Sequence, residues 1–286
     1  MNERIAGIGA RYIAVLACAA GVLAGQPATA PEATPGRVGS ERVRIPGTAV
    51  VLETVQAPAG TVEISAATIE IGELAVSTTE ITWDLYDVYL FGLDLPEEGD
   101  DVDGVSRPSK PYVPPDRGYG HAGFPAIGMT RHGAAEFCRW LSVKTGEAYR
   151  LPTRGEWAYL ARADGLPAGV WHEGNSEYTT HAVGKRTPNA WGLHDTLGSV
   201  AEWIAPETVI GPDGEASTTR PTAAGGSFID PLDACTPTAT QVQKSGWNAS
   251  DPQIPKSRWW LADCDFVGFR VVRDLAPSPD TNTDEE

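Results

Sequence analysis

Cysteine offers the widest range of chemistry in this sequence, because a thiolate attacks electrophiles, binds soft metals and forms disulfides. The 286 residues include four cysteines, at positions 18, 138, 235 and 264. Cys138 shares one face of a predicted helix with apolar residues, and a cysteine there is more often an inert buried thiol than a nucleophile. Cys18 lies within an apolar N-terminal run. Cys235 and Cys264 therefore remain as candidates for a chemical role.

Both candidates lie in a closing segment, residues 225–272, which begins with Gly-Gly-Ser-Phe. The paired glycines predict the start of a strand at which the backbone approaches a neighbour closely. The apolar, β-branched run at residues 266–272 predicts a second strand. Ser227 lacks the closing glycine of a nucleophile elbow. The sequence also contains no zincin histidine pair and no phosphate-binding glycine loop.

The same segment carries Trp247, Arg258, Trp259 and Trp260 beside several prolines. Tryptophan and arginine next to fixed prolines form rigid, amphipathic surfaces of the kind that anchor ligands, so these four residues are a candidate ligand surface. The alternative is that the tryptophans fill the core, because a loop-rich fold needs large side chains to bury area. The sequence favours the core interpretation and leaves the other open.

Three helices and several short strands must position these residues. Hydroxyl and carboxylate residues at 77–80 and at 153–156 have the spacing of a capping box, which predicts a helix start at each place. Thr130 predicts the start of another helix, which Gly146 ends. Alternating β-branched residues between 44 and 71 predict short strands.

Composition limits the class of protein. The chain has 41% hydrophobic residues, 31 glycines and 23 prolines, which predict a loop-rich fold with one substantial core or two modest ones. Its net charge of −16 argues against nucleic acid or an anionic membrane surface as a partner. We expect a monomer.

The N-terminus has the pattern of a signal peptide, residues 1–30. Arg4 and Arg11 come before an apolar run at 12–24, and small residues follow at 28–30. The run is short for a membrane span, so after cleavage we expect no integral membrane protein. Export to the periplasm, cell envelope or extracellular space is predicted. A lipoprotein with lipidated Cys18 is less favoured, because the residues that follow it remain apolar.

Two further segments are predicted to lack regular structure. Residues 31–44 continue a stretch rich in proline, alanine, threonine and glycine, which indicates a flexible linker. Residues 275–286 are polar and acidic, which indicates a disordered tail. A single domain is therefore expected at residues 45–274.

Four motifs occur in order along that domain: Tyr-Arg-Leu-Pro-Thr-Arg-Gly-Glu-Trp at 149–157, Pro-Asn-Ala-Trp-Gly-Leu-His-Asp-Thr-Leu-Gly-Ser-Val-Ala-Glu-Trp at 188–203, Gly-Gly-Ser-Phe at 225–228 and Gly-Phe-Arg at 268–270. They resemble the sulfatase-modifying-factor family, whose founding member is formylglycine-generating enzyme. The resemblance implies an irregular, loop-rich α+β domain related to the C-type lectin fold. It also implies bound calcium, and copper(I) chemistry that oxidises a cysteine in a Cys-x-Pro-x-Arg segment of a sulfatase to formylglycine.

The resemblance places Ser227 and Cys235 at catalytic positions. Two thiolates hold copper in the family, a ligand choice that suits this soft ion. The second thiolate falls on Cys235, but the first falls on Asp230. A carboxylate is a hard ligand and does not replace one arm of a dithiolate copper(I) site. We therefore expect a binding or divergent member, with an active oxidase as the alternative.

Without a copper role, Cys235 needs another function. Cys264 lies in the same segment, and an exported protein favours disulfides, so a Cys235–Cys264 bridge is expected. A Cys138–Cys235 bridge and free thiols remain as alternatives, because a sequence does not fix connectivity.

The resemblance also carries over a calcium site, at Asp195, Gly198, Val200 and Glu202. Calcium requires hard oxygens from side chains and backbone, which these positions offer. The alternative is that Asp195 and Glu202 cap turns and pair with nearby arginines. The implied partner is an exported protein or peptide.

Overall fold

Short strands make up most of the regular structure. A computed structural model describes residues 39–96, 103–111, 114–162, 169–210 and 215–275. All of these residues belong to one compact unit, Pro35–Glu286. The predicted signal peptide and Cys18 lie outside the described residues, as does nearly all of the predicted tail.

The described residues form three helices and thirteen strands. The helices are α1 (Trp83–Phe91), α2 (Arg131–Thr145) and α3 (Arg154–Ala161). The strands are β1 (Ser40–Arg44), β2 (Val51–Ala57), β3 (Gly60–Ile64), β4 (Ala67–Ile71), β5 (Leu74–Ser77), β6 (Tyr149–Arg150), β7 (Ala201–Trp203), β8 (Thr208–Ile210), β9 (Ala216–Thr218), β10 (Thr222–Ala224), β11 (Thr240–Val242), β12 (Val267–Gly268) and β13 (Val272–Asp274).

Two sheets organise the domain. The first is antiparallel with the order β1-β2-β5-β13-β6, and Val76 in β5 lies opposite both Val55 and Val272. The second has the order β11-β10-β7-β12, in which β12 runs parallel to β7 with Gly268 opposite Glu202. Strands β3 and β4 pair with each other, as do β8 and β9. Glu202 thus stands on a central strand.

The second and third helices start where the sequence predicts. The hydroxyl of Thr130 accepts a hydrogen bond from the Gly133 amide at 3.1 Å, and Gly146 ends α2 in a left-handed conformation. Thr153 and Glu156 form a reciprocal capping box at the start of α3. Both capping interactions are local, so the sequence alone specifies them.

The predicted capping box at residues 77–80 is wrong. Helix α1 begins at Trp83, and Ser77 instead ends strand β5, where its amide donates to the carbonyl oxygen of Val271. The Glu80 side chain is buried and accepts no hydrogen bond. Pairing with a strand about 190 residues away along the chain therefore overrides a locally favourable cap.

Two predicted segments differ from the structure. Residues 40–44 of the predicted linker form β1, whose five residues all pair with β2, so the linker prediction is wrong there. The run at 266–272 forms not one strand but two, because β12 belongs to the second sheet and β13 to the first. The carbonyl oxygen of Phe269, between them, accepts from the Ile81 amide at 2.8 Å. The run thus connects the two sheets.

Aromatic residues of the first two helices pack at the centre of the main core. Tyr86 of α1 stacks on Phe137 of α2 with ring centroids 5.6 Å apart, and Phe269 contacts both rings edge-on. Cys138 is buried beside them, as predicted, and burial raises the pKa of its thiol. Such aromatic contacts add about 0.5–1.5 kcal/mol per pair beyond the area that they bury.

Candidate functional site

The Gly-Gly-Ser-Phe motif forms a turn and not the predicted start of a strand. It follows β10, and Gly225 and Gly226 both take positive φ values, 98° and 71°. The predicted close approach is confirmed, because a Cβ atom on Gly226 would lie 2.8 Å from the sulfur of Cys235. The neighbour of this backbone is therefore another part of the protein. The turn places Ser227 beside Cys235.

Asp230 is held in place by two side chains. The hydroxyl of Ser227 donates to its Oδ2 atom at 2.6 Å, and the amide of Gln241 donates to the same atom at 3.1 Å. The backbone carbonyl of Asp230 accepts from the Glu173 amide at 3.0 Å. Both side-chain donors point at one carboxylate oxygen, which fixes the orientation of the group. Gln241 lies outside the sequence motifs, so the sequence analysis did not identify it.

Cys235 is a buried, protonated thiol. Its side chain is inaccessible to solvent, and its sulfur lies 3.9 Å from the carbonyl oxygen of Ser227. Burial and the nearby charge of Asp230 raise the pKa of Cys235 to about 11. The thiolate is the nucleophilic and metal-binding form, so this environment disfavours both roles near neutral pH. One such thiol beside a carboxylate does not fit a dithiolate copper(I) site.

The predicted Cys235–Cys264 disulfide is wrong. Cys138, Cys235 and Cys264 are all free and buried in the described structure. Cys235 packs in a small apolar cluster with Trp157, whereas Cys264 belongs to the main core. Burial raises the pKa of Cys264 to about 12. Placement in separate apolar clusters explains why proximity in sequence did not lead to pairing.

Glu202, a predicted calcium ligand, is fully engaged by an arginine. Arg270 donates to Glu202 Oε2 at 2.7 Å from Nε and to Oε1 at 2.6 Å from Nη2. The indole of Trp157 donates to Oε2 at 2.8 Å. The carboxylate thus uses three of its roughly four acceptor sites. A guanidinium stands where calcium would be needed, so Glu202 does not fit a calcium ligand in this arrangement.

The other predicted calcium residues lie close by in sequence. The Oδ2 atom of Asp195 accepts from the Gly184 amide at 2.7 Å. Gly198 and Val200 are buried in the turn before β7. Across the described residues, no group of three or more His, Cys, Asp or Glu side chains is placed to hold a metal ion. No observation tests the calcium site expected from the family resemblance, but the pairing of Glu202 with Arg270 argues against it.

The buried charge cluster around Arg270 was not predicted from the sequence. Glu80, Asp195 and Glu202 surround this one cation, and both carboxylate oxygens of Glu80 lack a hydrogen-bond partner. Burial raises the pKa of Glu80 well above its ordinary 4.5, and the charges of Asp195 and Glu202 add to the effect. Burial likewise raises the pKa of Asp195. The single positive charge of Arg270 therefore does not keep all three carboxyl groups ionised.

The predicted ligand surface divides into two parts. Trp247 is buried and contacts Trp203 and Phe266, so the core interpretation holds for this residue. Trp259 is half-buried with its ring centroid 4.8 Å from that of His132, and Arg258 is exposed.

Trp260, the last residue of the set, lines a cavity of about 710 Å³. Its indole nitrogen donates to the carbonyl oxygen of Ser109 at 3.2 Å, which fixes the ring. Arg117 and three prolines (Pro111, Pro115 and Pro252) also line this cavity. Trp260 thus borders a space large enough for a ligand.

A second cavity, of about 520 Å³, opens at Asp230. It is lined by Arg220, Asp230, Thr240, Gln241, Val242 and Lys244. The lining is polar and carries two cations against one carboxylate, and that carboxylate already accepts two hydrogen bonds. The arrangement suits recognition of a polar ligand better than redox chemistry.

Comparisons with known proteins agree with this architecture. The model of the sulfatase-modifying factor enzyme 1-like domain family matches residues 27–275. The serine/threonine-protein kinase pkn1 of Chlamydia pneumoniae is 31% identical over 93 residues, which are 29% of this chain. The match covers 14% of the length of that kinase.

Three solved structures share the fold. Treponema denticola variable protein 1 superposes with a TM-score of 0.59 at 18% identity, over 82% of this chain and 99% of that one. PvdO from Pseudomonas aeruginosa gives 0.57 at 22% identity, over 84% and 99%. CarF gives 0.56 at 18% identity, over 79% and 99%. At these identities the likeness shows the fold alone, and it confirms the predicted irregular α+β class.

Proposed function

The chain belongs to the sulfatase-modifying factor enzyme 1-like domain family, and we propose that it is a binding member and not a copper-dependent oxidase. One observation carries the proposal: the carboxylate of Asp230, fixed by Ser227 and Gln241, stands beside the single buried thiol of Cys235. Oxidation of a cysteine through copper(I) requires two soft thiolates at that place. This site offers one hard oxygen ligand and one protonated sulfur.

We propose that the ligand is a peptide segment of an exported protein. The cavity beside Asp230 is open to solvent and polar, and Arg220 and Lys244 supply donors for carbonyl or carboxylate oxygens. Export of this chain itself forms part of the proposal, which the N-terminal sequence supports. Over the described residues, no helix has the length and apolarity needed to cross a bilayer.

An active oxidase is the second candidate. It is supported by the placement of Ser227 and Cys235, whose carbonyl oxygen and sulfur lie 3.9 Å apart in the turn that the family motif forms. In that case a second ligand other than Asp230 would have to complete the copper site.

Mass spectrometry separates the two candidates. The purified protein is incubated with a Cys-x-Pro-x-Arg peptide, copper(I) and oxygen, and the peptide mass is followed while copper retained after desalting is measured. We expect no conversion and no retained copper. Conversion of the peptide cysteine to an aldehyde, abolished by Cys235→Ala, would refute the proposal.

Two variants make the copper measurement decisive. Asp230→Cys is expected to retain copper(I), because it places a second thiol in the cleft beside Cys235. Asp230→Asn removes the same charge without adding sulfur and should retain none. Equal copper retention by wild type and Asp230→Cys would mean that Asp230 is not what prevents copper binding.

A further inference from the structure

Three cavities of this protein adjoin one another through shared lining residues, and we call this row of cavities the trough. The cavity at Trp260 and a neighbouring one of about 550 Å³ share Asn248 and Ser257 as lining residues. That neighbour shares Lys244 with the cavity at Asp230. The trough therefore runs from Trp260 at one end to the Ser227–Asp230 site at the other. Its size suits an extended chain better than a single small molecule.

The loop that forms one wall of the trough is held by its own polar contacts. The carboxylate of Asp251 accepts from the amides of Gln253 at 2.9 Å and Ser257 at 2.6 Å. Asn248 donates to the same carboxylate at 3.3 Å, and its own oxygen accepts from the Ala262 amide at 2.8 Å. Because these contacts are internal to the protein, they hold this wall of the trough in a defined shape.

The charges that face the trough are mostly positive. Lys110 and Arg117 line its Trp260 end, Lys256 and Lys244 its middle, and Arg220 its other end. The guanidinium of Arg117 donates to the carbonyl oxygen of Ala262, and that of Arg220 to the carbonyl oxygen of Gln243. These hydrogen-bond partners are neutral, although Asp263 lies close enough to Arg117 to interact with its charge.

The two carboxylates that line the trough are hydrogen-bonded to neutral donors and keep their negative charge, but the five cations outnumber them. Asp251 accepts from backbone amides and Asn248, and Asp230 accepts from Ser227 and Gln241. The net charge of −16 for the whole chain does not decide the local preference, because charges beyond about 8 Å are screened at physiological salt. The trough is a cationic strip on an acidic protein.

We propose that the trough binds an extended acidic peptide, with an aromatic or aliphatic side chain against Trp260 and its acidic residues along Lys256, Lys244 and Arg220. This inference rests on the proposed binding function and specifies its ligand. It predicts that the arginine-containing segment implied by the family resemblance binds poorly here, because its guanidinium would meet like charges.

Fluorescence anisotropy tests the proposal with the full-length protein. The probe is a fluorescein-labelled peptide of alternating glutamate and leucine with a central phenylalanine. Matched peptides carry glutamine or lysine in place of glutamate. We expect the glutamate peptide to bind about tenfold more tightly than the glutamine peptide, and the advantage to shrink as salt rises. The lysine peptide should not bind.

Charge reversal locates the binding. Lys244 is exposed and its side chain makes no described hydrogen bond, so Lys244→Glu should fold normally and weaken glutamate-peptide binding about tenfold. Lys185→Glu is the matched control, because Lys185 is exposed and lines none of the three cavities. Trp260→Ala should weaken the glutamate and glutamine peptides by the same factor, since it removes an apolar contact.

Several results would overturn the proposal. They are equal binding of the glutamate and glutamine peptides, equal effects of Lys244→Glu and Lys185→Glu, tighter binding of a single-stranded oligonucleotide, and complete competition by inorganic phosphate. The copper assay reports separately on the proposed function. Aldehyde formation would refute the proposed function without changing the measured preference for the glutamate peptide. Loss of that preference would refute only the proposal that the trough binds an acidic peptide.

Discussion

Replacing Glu80 by glutamine should stabilise the protein relative to wild type, and this stabilisation should grow as the pH rises. Glu80 is 1% exposed, and neither of its carboxylate oxygens accepts a hydrogen bond. Burial raises its pKa well above 4.5, and the charges of Asp195 and Glu202 raise it further. Arg270 opposes this shift but directs its hydrogen bonds to Glu202. Glutamine keeps the shape of the side chain and removes the titration.

The direction of this pH dependence follows from the number of protons that the folded and unfolded states bind. Above pH 4.5 the unfolded chain has released the Glu80 proton, while the folded protein still holds it. Stability of the wild type therefore falls as the pH rises from 4.5 to the raised pKa of Glu80, by about 1.4 kcal/mol per pH unit for one proton. The Glu80→Gln variant does not lose stability in this way, because glutamine does not titrate. The difference in unfolding free energy between the variant and wild type should grow at that rate.

Urea unfolding measured at several pH values between about 5 and 8 gives this difference directly, because both proteins share every other titrating group. Glu70→Gln is the matched control, since Glu70 is exposed on β4. It should follow the wild type at each pH. A difference between Glu80→Gln and wild type that stays constant across the range would refute the account of Glu80 as a carboxyl held protonated by its surroundings.

Three further predictions concern cysteines, calcium and the central ion pair. In a non-reducing peptide map, Cys235 and Cys264 should be alkylated in denaturant and protected in the native protein, and a bridged peptide would contradict their separate burial. Calcium should not raise the melting temperature of chelator-treated protein, because Arg270 already neutralises Glu202. A calcium-dependent rise that Asp195→Asn abolishes would contradict this, since a bound ligand must stabilise the native state. Arg270→Met should lower the urea-unfolding free energy by about 3–5 kcal/mol, because it leaves the buried carboxylate of Glu202 without its charge partner, and a smaller loss would show that the pair is not needed.

Local signals explain the predictions that were confirmed. Thr130, Gly146 and the capping box at Thr153 act within a few residues of themselves, so neighbouring sequence specifies the ends of α2 and α3. The buried state of Cys138 likewise follows from its place on the apolar face of α2. The family motifs indicated the fold because each is a short, ordered run of residues.

Predictions failed where distant parts of the chain compete for the same residue. Ser77 has the pattern of a helix cap, but pairing at residue 271 makes it the end of a strand. Cys235 and Cys264 are close in sequence, but apolar packing places them in different clusters. In each case the interaction that decides the outcome spans many residues, and periodicity or spacing does not report it.

The sequence by itself determined the family, the mixed α+β class and two of three helix starts, and its resemblance to the family led us to expect Asp230 in place of a copper thiolate. The tertiary structure alone decided what surrounds each of these residues. It gave Asp230 its donors Ser227 and Gln241, placed Glu80 beside Arg270, and joined three cavities along Lys244. The chain fixes the residue types. The pKa of a carboxyl group and the strength of its interaction with a cation depend on burial and distance, which are set only when the chain folds.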